Sequence, residues 1–153
     1  IEVTEAFDLN DTIKEVVEFV QNEAIFRNIK IELDFYQGIL KVKSARGQLQ
    51  QVLLNIVNNA IDAVQDHGII KIVTVVKDKN TVQVIISDNG AGIPKDKLKH
   101  IFEPFYTTKK VGKGTGLGVS ISYGIVKDYK GDIELESEVG KGTTFIIKFP
   151  QAA

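Results

Sequence analysis

The sequence predicts an α/β two-layer sandwich, in which three helices pack against one mixed, mainly antiparallel sheet of about five strands. Two long segments, residues 8–28 and 44–65, repeat apolar side chains at the three-to-four spacing of an amphipathic helix. Several short segments alternate apolar and polar residues, as half-buried strands do. Tight turns at 78–80 and 140–142 separate two pairs of these segments, which indicates antiparallel hairpins.

Composition and charge exclude several classes of protein. The chain has 153 residues, the size of one domain, and its 43% apolar and 25% charged residues are typical of a globular fold. A net charge of −1 argues against a protein that binds nucleic acid or an anionic membrane. The absence of cysteine excludes disulfides and thiol chemistry. No apolar run is long enough to span a bilayer. Because the chain contains no methionine and begins at Ile1, we expect it to be part of a longer protein.

The first half of the chain supplies two helices and two short strands. Helix 8–28 begins at a cap formed by Asp8 or Asn10. Residues 31–35 alternate as a strand, and the apolar run 39–42 is a second candidate strand. Helix 44–65 then ends before His67 and Gly68.

The second half supplies the rest of the sheet. Strands 69–77 and 81–88 form one hairpin, and strands 131–138 and 143–149 form another. A helix is predicted over about 115–129. The segment 89–114 is irregular and rich in Gly and Lys, and an irregular segment of this length inside a domain is usually a functional lid or binding loop.

The long second helix carries an unusual polar stripe. No charged residue occurs between positions 47 and 61, although an ordinary solvent face carries Lys and Glu. The stripe consists of Gln48, Gln51, Asn55, Asn58, Asn59 and Asp62. It is either a plain polar surface or one wall of a polar site, where amide oxygens hold a hard cation together with phosphates.

The strand 81–88 ends in the run DNGAGIP, residues 88–94. By strand alternation Asp88 shares the face of Val82, Val84 and Ile86, so its carboxylate points toward the core layer and needs a donor partner. The exocyclic amine of a purine is a candidate donor. The alternative is a strand that simply ends in an Asp-Asn-Gly turn.

A Gly-rich run, GKGTGLG at residues 112–118, leads into the third helix. Backbone amides at a helix N-terminus attract anions, and Lys109, Lys110 and Lys113 add positive charge. The run matches neither the Walker pattern nor a Rossmann loop. Together, the amides, the buried carboxylate and the Gly-rich helix start predict a nucleotide site.

Four ordered motifs resemble those of sensor histidine kinase catalytic domains, within the GHKL ATPase superfamily and its Bergerat fold. Residues 51–60 (QVLLNIVNNA) are similar to the N box and residues 88–94 to the G1 box. Residues 102–109 (FEPFYTTK) are similar to the F box and residues 114–121 (GTGLGVSI) to the G2 box. Residues 137–145 (SEVGKGTTF) resemble the last turn and strand of the family.

The resemblance implies a role for each matching residue. Asn59 would ligate Mg²⁺, Asn55 would line the phosphate side, and Asp88 would accept from the adenine amine. The other implied ATP-binding residues are Gly90, Gly92, Ile93, Thr107, Thr108, Lys109, Gly114, Thr115, Gly116, Leu117, Gly118 and Thr143. The implied catalytic residues are Asn55, Lys109 and Lys113, and the ATP lid spans about 95–114.

The resemblance also implies an activity and partners. The domain would bind ATP–Mg²⁺ and supply the γ-phosphoryl group to a histidine on a dimerisation and phosphoacceptor domain outside this chain, for onward transfer to a response regulator. The parent protein would be a homodimer, and this domain would be cytoplasmic, without contact to membrane or nucleic acid. In the hydrolases of the superfamily a Glu activates water where this chain has Asn55, which favours phosphoryl transfer over hydrolysis.

Two departures from the family pattern leave alternatives open. Asp62 and Ala63 stand where many members carry a basic residue and Tyr, so Lys109 or Lys113 would supply the γ-phosphate contacts. Neither His67 nor His100 lies in a phosphoacceptor motif. One alternative is an anti-sigma-factor-type serine kinase, but residues 7–10 (FDLN) resemble the join to a dimerisation helix, which that class lacks. The other is a non-catalytic nucleotide-binding regulatory module.

Overall fold

The computed structural model describes residues 4–64, 66–103 and 118–152. The strands are β1 (Glu5–Asp8), β2 (Lys30–Asp34), β3 (Lys41–Ser44), β4 (Ile69–Asp78), β5 (Thr81–Asp88), β6 (Asp132–Glu138) and β7 (Gly142–Pro150), and the helices are α1 (Leu9–Phe26), α2 (Arg46–Val64), α3 (Lys95–Leu98) and α4 (Gly118–Asp128). Five strands form one sheet in the order β2-β4-β5-β7-β6. Within this described sheet β2 and β4 pair in parallel and the other neighbours pair antiparallel, so the predicted mixed, mainly antiparallel sheet is confirmed.

The core lies between the helices and one face of the sheet. Leu49, Leu53 and Ile56 on α2 are almost fully buried, and so are the alternate residues Val84 and Ile86 on β5. The apolar faces that the helical and strand periods predict therefore meet in one contiguous cluster. This packing fixes α2 beside the end of β5, where the candidate site lies.

The predicted cap of α1 is Asp8, and it has a second role. Its Oδ1 accepts a hydrogen bond from the backbone N–H of Asp11 at 3.2 Å, which satisfies a free donor of the first turn. Its Oδ2 accepts from the backbone N–H of Leu40 at 3.3 Å, which links the helix start to the segment before β3. Asn10, the other candidate cap, instead lies inside α1 and donates to the backbone carbonyl of Tyr36.

Three local features differ from the sequence prediction. Residues 5–8 form a strand that pairs with Lys41–Ser44 in a separate two-stranded sheet, so the candidate strand at 39–42 does not belong to the main sheet. Pairing partners distant in sequence decide such short strands, and local alternation does not reveal them. The irregular segment contains the single-turn helix α3, which follows Pro94. The predicted helix at about 115–129 is described from Gly118 to Asp128.

Candidate nucleotide site

Three polar residues form a row across the end of the sheet. Asp88 on β5 is the register partner of Thr143 on β7, and Thr143 is the partner of Ser137 on β6. Side chains of such partners lie on the same face of the sheet. Asp88 follows the buried Val84 and Ile86 at period two, so it lies on the helix-facing side as the alternation predicts. It is half-buried, at the mouth of the core.

Burial makes Asp88 an unusual carboxyl group. Desolvation raises its pKa above the ordinary 3.8, and hydrogen bonds from the backbone N–H groups of Gly90 and Thr143 act in the opposite direction without cancelling this effect. The Gly90 bond measures 2.9 Å to Oδ1. A partly desolvated carboxylate beside a loop is the kind of group that binding sites retain at a cost in stability.

The loop after Asp88 packs tightly on the protein itself. The backbone N–H of Gly140 donates to the carbonyl of Ala91 at 2.8 Å, and the N–H of Ile93 donates to Ser137 Oγ at 2.8 Å. Gly92 has a φ of +78°, and a Cβ there would lie 2.1 Å from the carbonyl oxygen of Glu138. The glycine is therefore required by the contact between this loop and β6, and the sequence alone does not separate this role from close approach to a ligand.

The polar stripe of α2 divides into two parts. Asn55 Nδ2 donates to the carbonyl oxygen of Gly118 and to Ser122 Oγ, both at 3.3 Å, and so connects α2 to the start of α4. Gln48 Oε1 accepts from the Tyr129 hydroxyl at 2.6 Å, just beyond the other end of α4. These two residues therefore contact α4 and the residue that follows it, which is a role that periodicity did not indicate.

The other stripe residues differ in how far they are exposed to solvent. Gln51 and Asn58 are exposed, whereas Asn59 is half-buried. Asn59 lies one turn before Ala63, whose carbonyl oxygen accepts from the backbone N–H of Ala91 at 3.4 Å. The α2 amides and the Asp88 loop thus belong to one neighbourhood. Asp62 lies 3.9 Å from the guanidinium of Arg27 at the end of α1.

The structure therefore brings together part of the predicted site. Around the end of β5 it places Asp88, Gly90, Gly92, Ile93 and Thr143, and between α2 and α4 it places Asn55 and Gly118. Asn59 lies on α2 as described above, and the other predicted residues lie outside the described part of the chain: Thr107, Thr108, Lys109, Lys113, Gly114, Thr115, Gly116 and Leu117. Ser137, which contacts Thr143 and the loop after Asp88, was not among the predicted residues. Its register opposite Thr143, across the turn 140–142, was the available signal.

Asn59 carries a neutral amide oxygen, which is a donor type that suits a hard cation held jointly with phosphates. Within residues 4–64, 66–103 and 118–152 no three His, Cys, Asp or Glu side chains cluster as a metal site. A divalent ion at the α2 stripe would therefore depend on neutral amide oxygens and on oxygens of a bound ligand. Mg²⁺ binds in this manner in phosphate-transfer sites, where it keeps few protein ligands.

Comparison with known proteins identifies the family of this chain. The sequence model described as histidine kinase-, DNA gyrase B- and HSP90-like ATPase matches residues 44–153. The chain belongs to this ATPase family. Sporulation kinase E of Bacillus subtilis is 38% identical over 138 residues, which are 90% of this chain and 18% of that kinase. The chain thus spans less than a fifth of that relative.

Solved structures of the ATPase family share the fold. The nucleotide-free catalytic domain of histidine kinase ThkA is 35% identical, with a TM-score of 0.88, covering 97% of this chain and 96% of that one. A complex of ThkA with the response regulator TrrA contains a chain that is 31% identical, with a TM-score of 0.84; the match covers 97% of this chain and 42% of that one. Among the described residues, no helix is long and apolar enough to cross a membrane.

Proposed function

We propose that this chain is the catalytic domain of a sensor histidine kinase, which binds ATP–Mg²⁺ and supplies the γ-phosphoryl group for phosphorylation of a histidine on a dimerisation domain elsewhere in the longer protein. The observation that carries the proposal is the half-buried Asp88, placed beside Thr143 at the end of β5 and near the amides of α2. An ionised carboxylate only accepts hydrogen bonds, which suits the amine of adenine. The names of the relatives add support.

In this arrangement the base of the nucleotide binds at one end of the site and its phosphates bind at the other. Asp88, Gly90, Gly92, Ile93 and Thr143 surround the base. Asn59 would hold Mg²⁺, which would supply charge neutralisation and orientation at the phosphates. Asn55 lines the phosphate side and holds the first residue of α4. The lid, at about 95–114, and the Gly-rich phosphate run at 112–118 complete the site through Thr107, Thr108, Lys109, Lys113, Gly114, Thr115, Gly116, Leu117 and Gly118.

Transfer to a protein side chain is favoured over hydrolysis because Asn55, on the phosphate side of α2, is not a general base for water. An amide does not take up a proton at neutral pH, so Asn55 cannot activate water. Lys109 and Lys113 would stabilise charge on the γ-phosphoryl group during transfer. We further propose that the parent is a homodimer with this domain in the cytoplasm, and that a response regulator receives the phosphoryl group. The ThkA–TrrA complex is a related pair of proteins that supports this partner.

Calorimetric titration of the domain with ATP, with and without Mg²⁺, tests the binding. We expect Asn59→Ala to weaken Mg²⁺-dependent ATP affinity by about tenfold or more, because loss of a residue that only supports a metal ligand already costs about 10- to 100-fold. Asn58→Ala is the matched control, because Asn58 is the same residue type at an exposed position next along α2. Absence of ATP binding by the wild type, or equal losses in both variants, would contradict the proposal.

A phosphotransfer assay tests the activity and separates the alternatives. The domain is mixed with a separately produced phosphoacceptor domain of its own parent protein and with γ-labelled ATP. Acid-labile label on a histidine of the acceptor supports the histidine kinase. Acid-stable label on serine would instead indicate the serine kinase, and binding of ATP without any transfer would indicate a regulatory module.

A further inference from the structure

We propose that Ser122 on α4 is a positioning residue. Together with the backbone carbonyl of Gly118 it holds the side-chain amide of Asn55, so that the amide oxygen faces the phosphate side of the site. Ser122 was not among the predicted site residues. The inference rests on the proposed function and deepens it, because it names what orients one of the phosphate-side residues.

Ser122 is a polar residue at an apolar position. It is fully buried, as is Val126 one turn later, and these are the two buried residues of α4. Their spacing places both on the face of α4 that packs inward. A buried hydroxyl is costly unless it is hydrogen-bonded, and the Ser122 hydroxyl is bonded to Asn55 on α2 at 3.3 Å. An aliphatic side chain would suit this position better if core packing alone mattered.

The direction of the Asn55 amide follows from which of its neighbours can donate. The carbonyl oxygen of Gly118 only accepts, so the atom 3.3 Å from it is the amide nitrogen Nδ2. Nδ2 only donates, so Ser122 Oγ accepts in the second contact whichever way its own proton points. The two lone pairs of a carbonyl oxygen allow Gly118 to accept from Asn55 as well as within α4. The N–H groups of the Asn55 amide are therefore committed to α4.

The amide oxygen of Asn55 consequently faces the other way. The oxygen and nitrogen of a planar amide diverge from the same carbon, so Oδ1 is directed away from Gly118 and Ser122. Among the described residues, Arg46 Nε is the one buried side-chain nitrogen or oxygen without a partner. Because the described hydrogen bonds of Asn55 use Nδ2, Oδ1 is therefore open to solvent. Asn59 lies one turn further along the same polar stripe.

This orientation limits how Asn55 contributes to binding. An amide oxygen accepts hydrogen bonds and ligates hard cations, but it cannot donate to a phosphate oxygen. With its N–H groups occupied, Asn55 therefore acts on a triphosphate only through the hydrated cation that accompanies it. Loss of the Ser122 hydroxyl would free one N–H of the amide and let the amide turn, so that this orientation is no longer fixed.

The test compares ATP–Mg²⁺ with adenosine, which carries the base and sugar but recruits no cation. We expect Ser122→Ala to weaken ATP–Mg²⁺ binding by about threefold to tenfold, the range of one neutral hydrogen bond. The affinity for adenosine should not change, as measured by calorimetry and NMR titration. Ser44→Ala is the matched control, because it also removes an almost fully buried hydroxyl, in the separate two-stranded sheet. It should leave the ratio of the two affinities unchanged.

A second measurement needs neither a ligand nor a variant, and it decides the matter if Ser122→Ala fails to fold. In the nucleotide-free wild type, the side-chain amide protons of Asn55 should exchange with solvent at least about threefold more slowly than those of the exposed Asn58. NMR of the side-chain amides measures both rates. In a folded Ser122→Ala variant most of this protection should be lost.

The outcomes separate this inference from the proposed function. The inference would be wrong, while the proposed function stands, if Ser122→Ala weakened both ligands equally or neither of them. An Asn55 amide that exchanges as fast as that of Asn58 would overturn it in the same way. Failure of the wild type to bind ATP–Mg²⁺ would overturn the proposed function itself. Selective loss of ATP–Mg²⁺ affinity together with loss of amide protection in Ser122→Ala supports both.

Discussion

Asp88 shows how one partly buried carboxyl group opposes stability at the level of a single side chain. Because its pKa is raised in the folded state, the folded protein holds the proton more tightly than the unfolded chain. As pH rises from 3.8 through the raised pKa, the contribution of this group to the free energy of unfolding therefore falls. We expect the stability of Asp88→Asn relative to the wild type to increase over that pH window, as measured by urea unfolding.

Asp132 supplies a control of opposite sign. Its pKa is lowered, chiefly by the side-chain hydrogen bond from Lys127, whose Nζ lies 3.0 Å from Oδ1. The relative stability of Asp132→Asn should therefore decrease as pH rises through the corresponding window below 3.8. A relative stability of Asp88→Asn that is flat or falls with pH would show that burial does not govern this carboxyl group.

The same substitution at Asp88 should also reduce nucleotide binding. The amide of Asp88→Asn would keep the size of the side chain but replace one acceptor with a donor. A hydrogen bond to a charged group is worth about 1.5–3 kcal/mol, which corresponds to roughly 10- to 150-fold in affinity. We expect Asp88→Asn to weaken ATP binding by about this factor and to narrow the preference for ATP over GTP in competition calorimetry. An unchanged ATP-to-GTP ratio would mean that Asp88 does not contact the base.

At the scale of elements, the sequence predicted which face of a helix is buried more successfully than it predicted which element packs beside that helix. The periodicity of α2 separated a buried face, including Leu53 and Ile56, from a polar stripe, and both are present. It did not reveal that Asn55 contacts α4 or that Gln48 contacts Tyr129 just after α4, because a 3.6-residue period describes one helix and contains no information about what packs beside it. The pairing of β1 with β3 was missed for the same reason.

The link from Asn55 to α4 yields a prediction about local stability. Asn55→Ala removes the amide that donates to Gly118 and Ser122 at the start of α4. We expect amide hydrogen exchange in the first turn of α4 to accelerate by about threefold to tenfold, with little change within α2, because the loss is local to one contact. Exchange that accelerates equally across both helices would assign Asn55 to global stability instead.

At the scale of the molecule, the architecture was predictable because local and global signals agree. The strand alternation that placed Asp88 on the core side also predicted the order of burial along β5, and the two hairpins accounted for most of the sheet. The crossing from β2 to its parallel neighbour β4 joins residues far apart in sequence, and no local pattern specifies it. Ser137 differs: its register opposite Thr143 follows from the predicted hairpin, whereas its contact with the loop after Asp88 does not follow from any local pattern.

The arrangement of histidines in the whole domain yields the last prediction. His67 is exposed in the turn after α2 with a φ of +62°, and His100 pairs with Glu103 at 2.8 Å beside α3. A phosphoacceptor must present a ring nitrogen in line with the γ-phosphoryl group, which requires a fixed approach to the phosphates. His100 Nδ1 is instead engaged by a neighbouring carboxylate, and His67 lies in an exposed turn rather than on a regular helix.

We therefore expect this domain, incubated alone with Mg²⁺ and γ-labelled ATP, to bind nucleotide without labelling itself. Gel autoradiography under neutral and acidic conditions checks this, with His67→Gln and His100→Gln as controls. An acid-labile signal that either substitution abolishes would show that the domain carries its own acceptor. The proposal that the acceptor histidine lies on a separate phosphoacceptor domain would then be wrong.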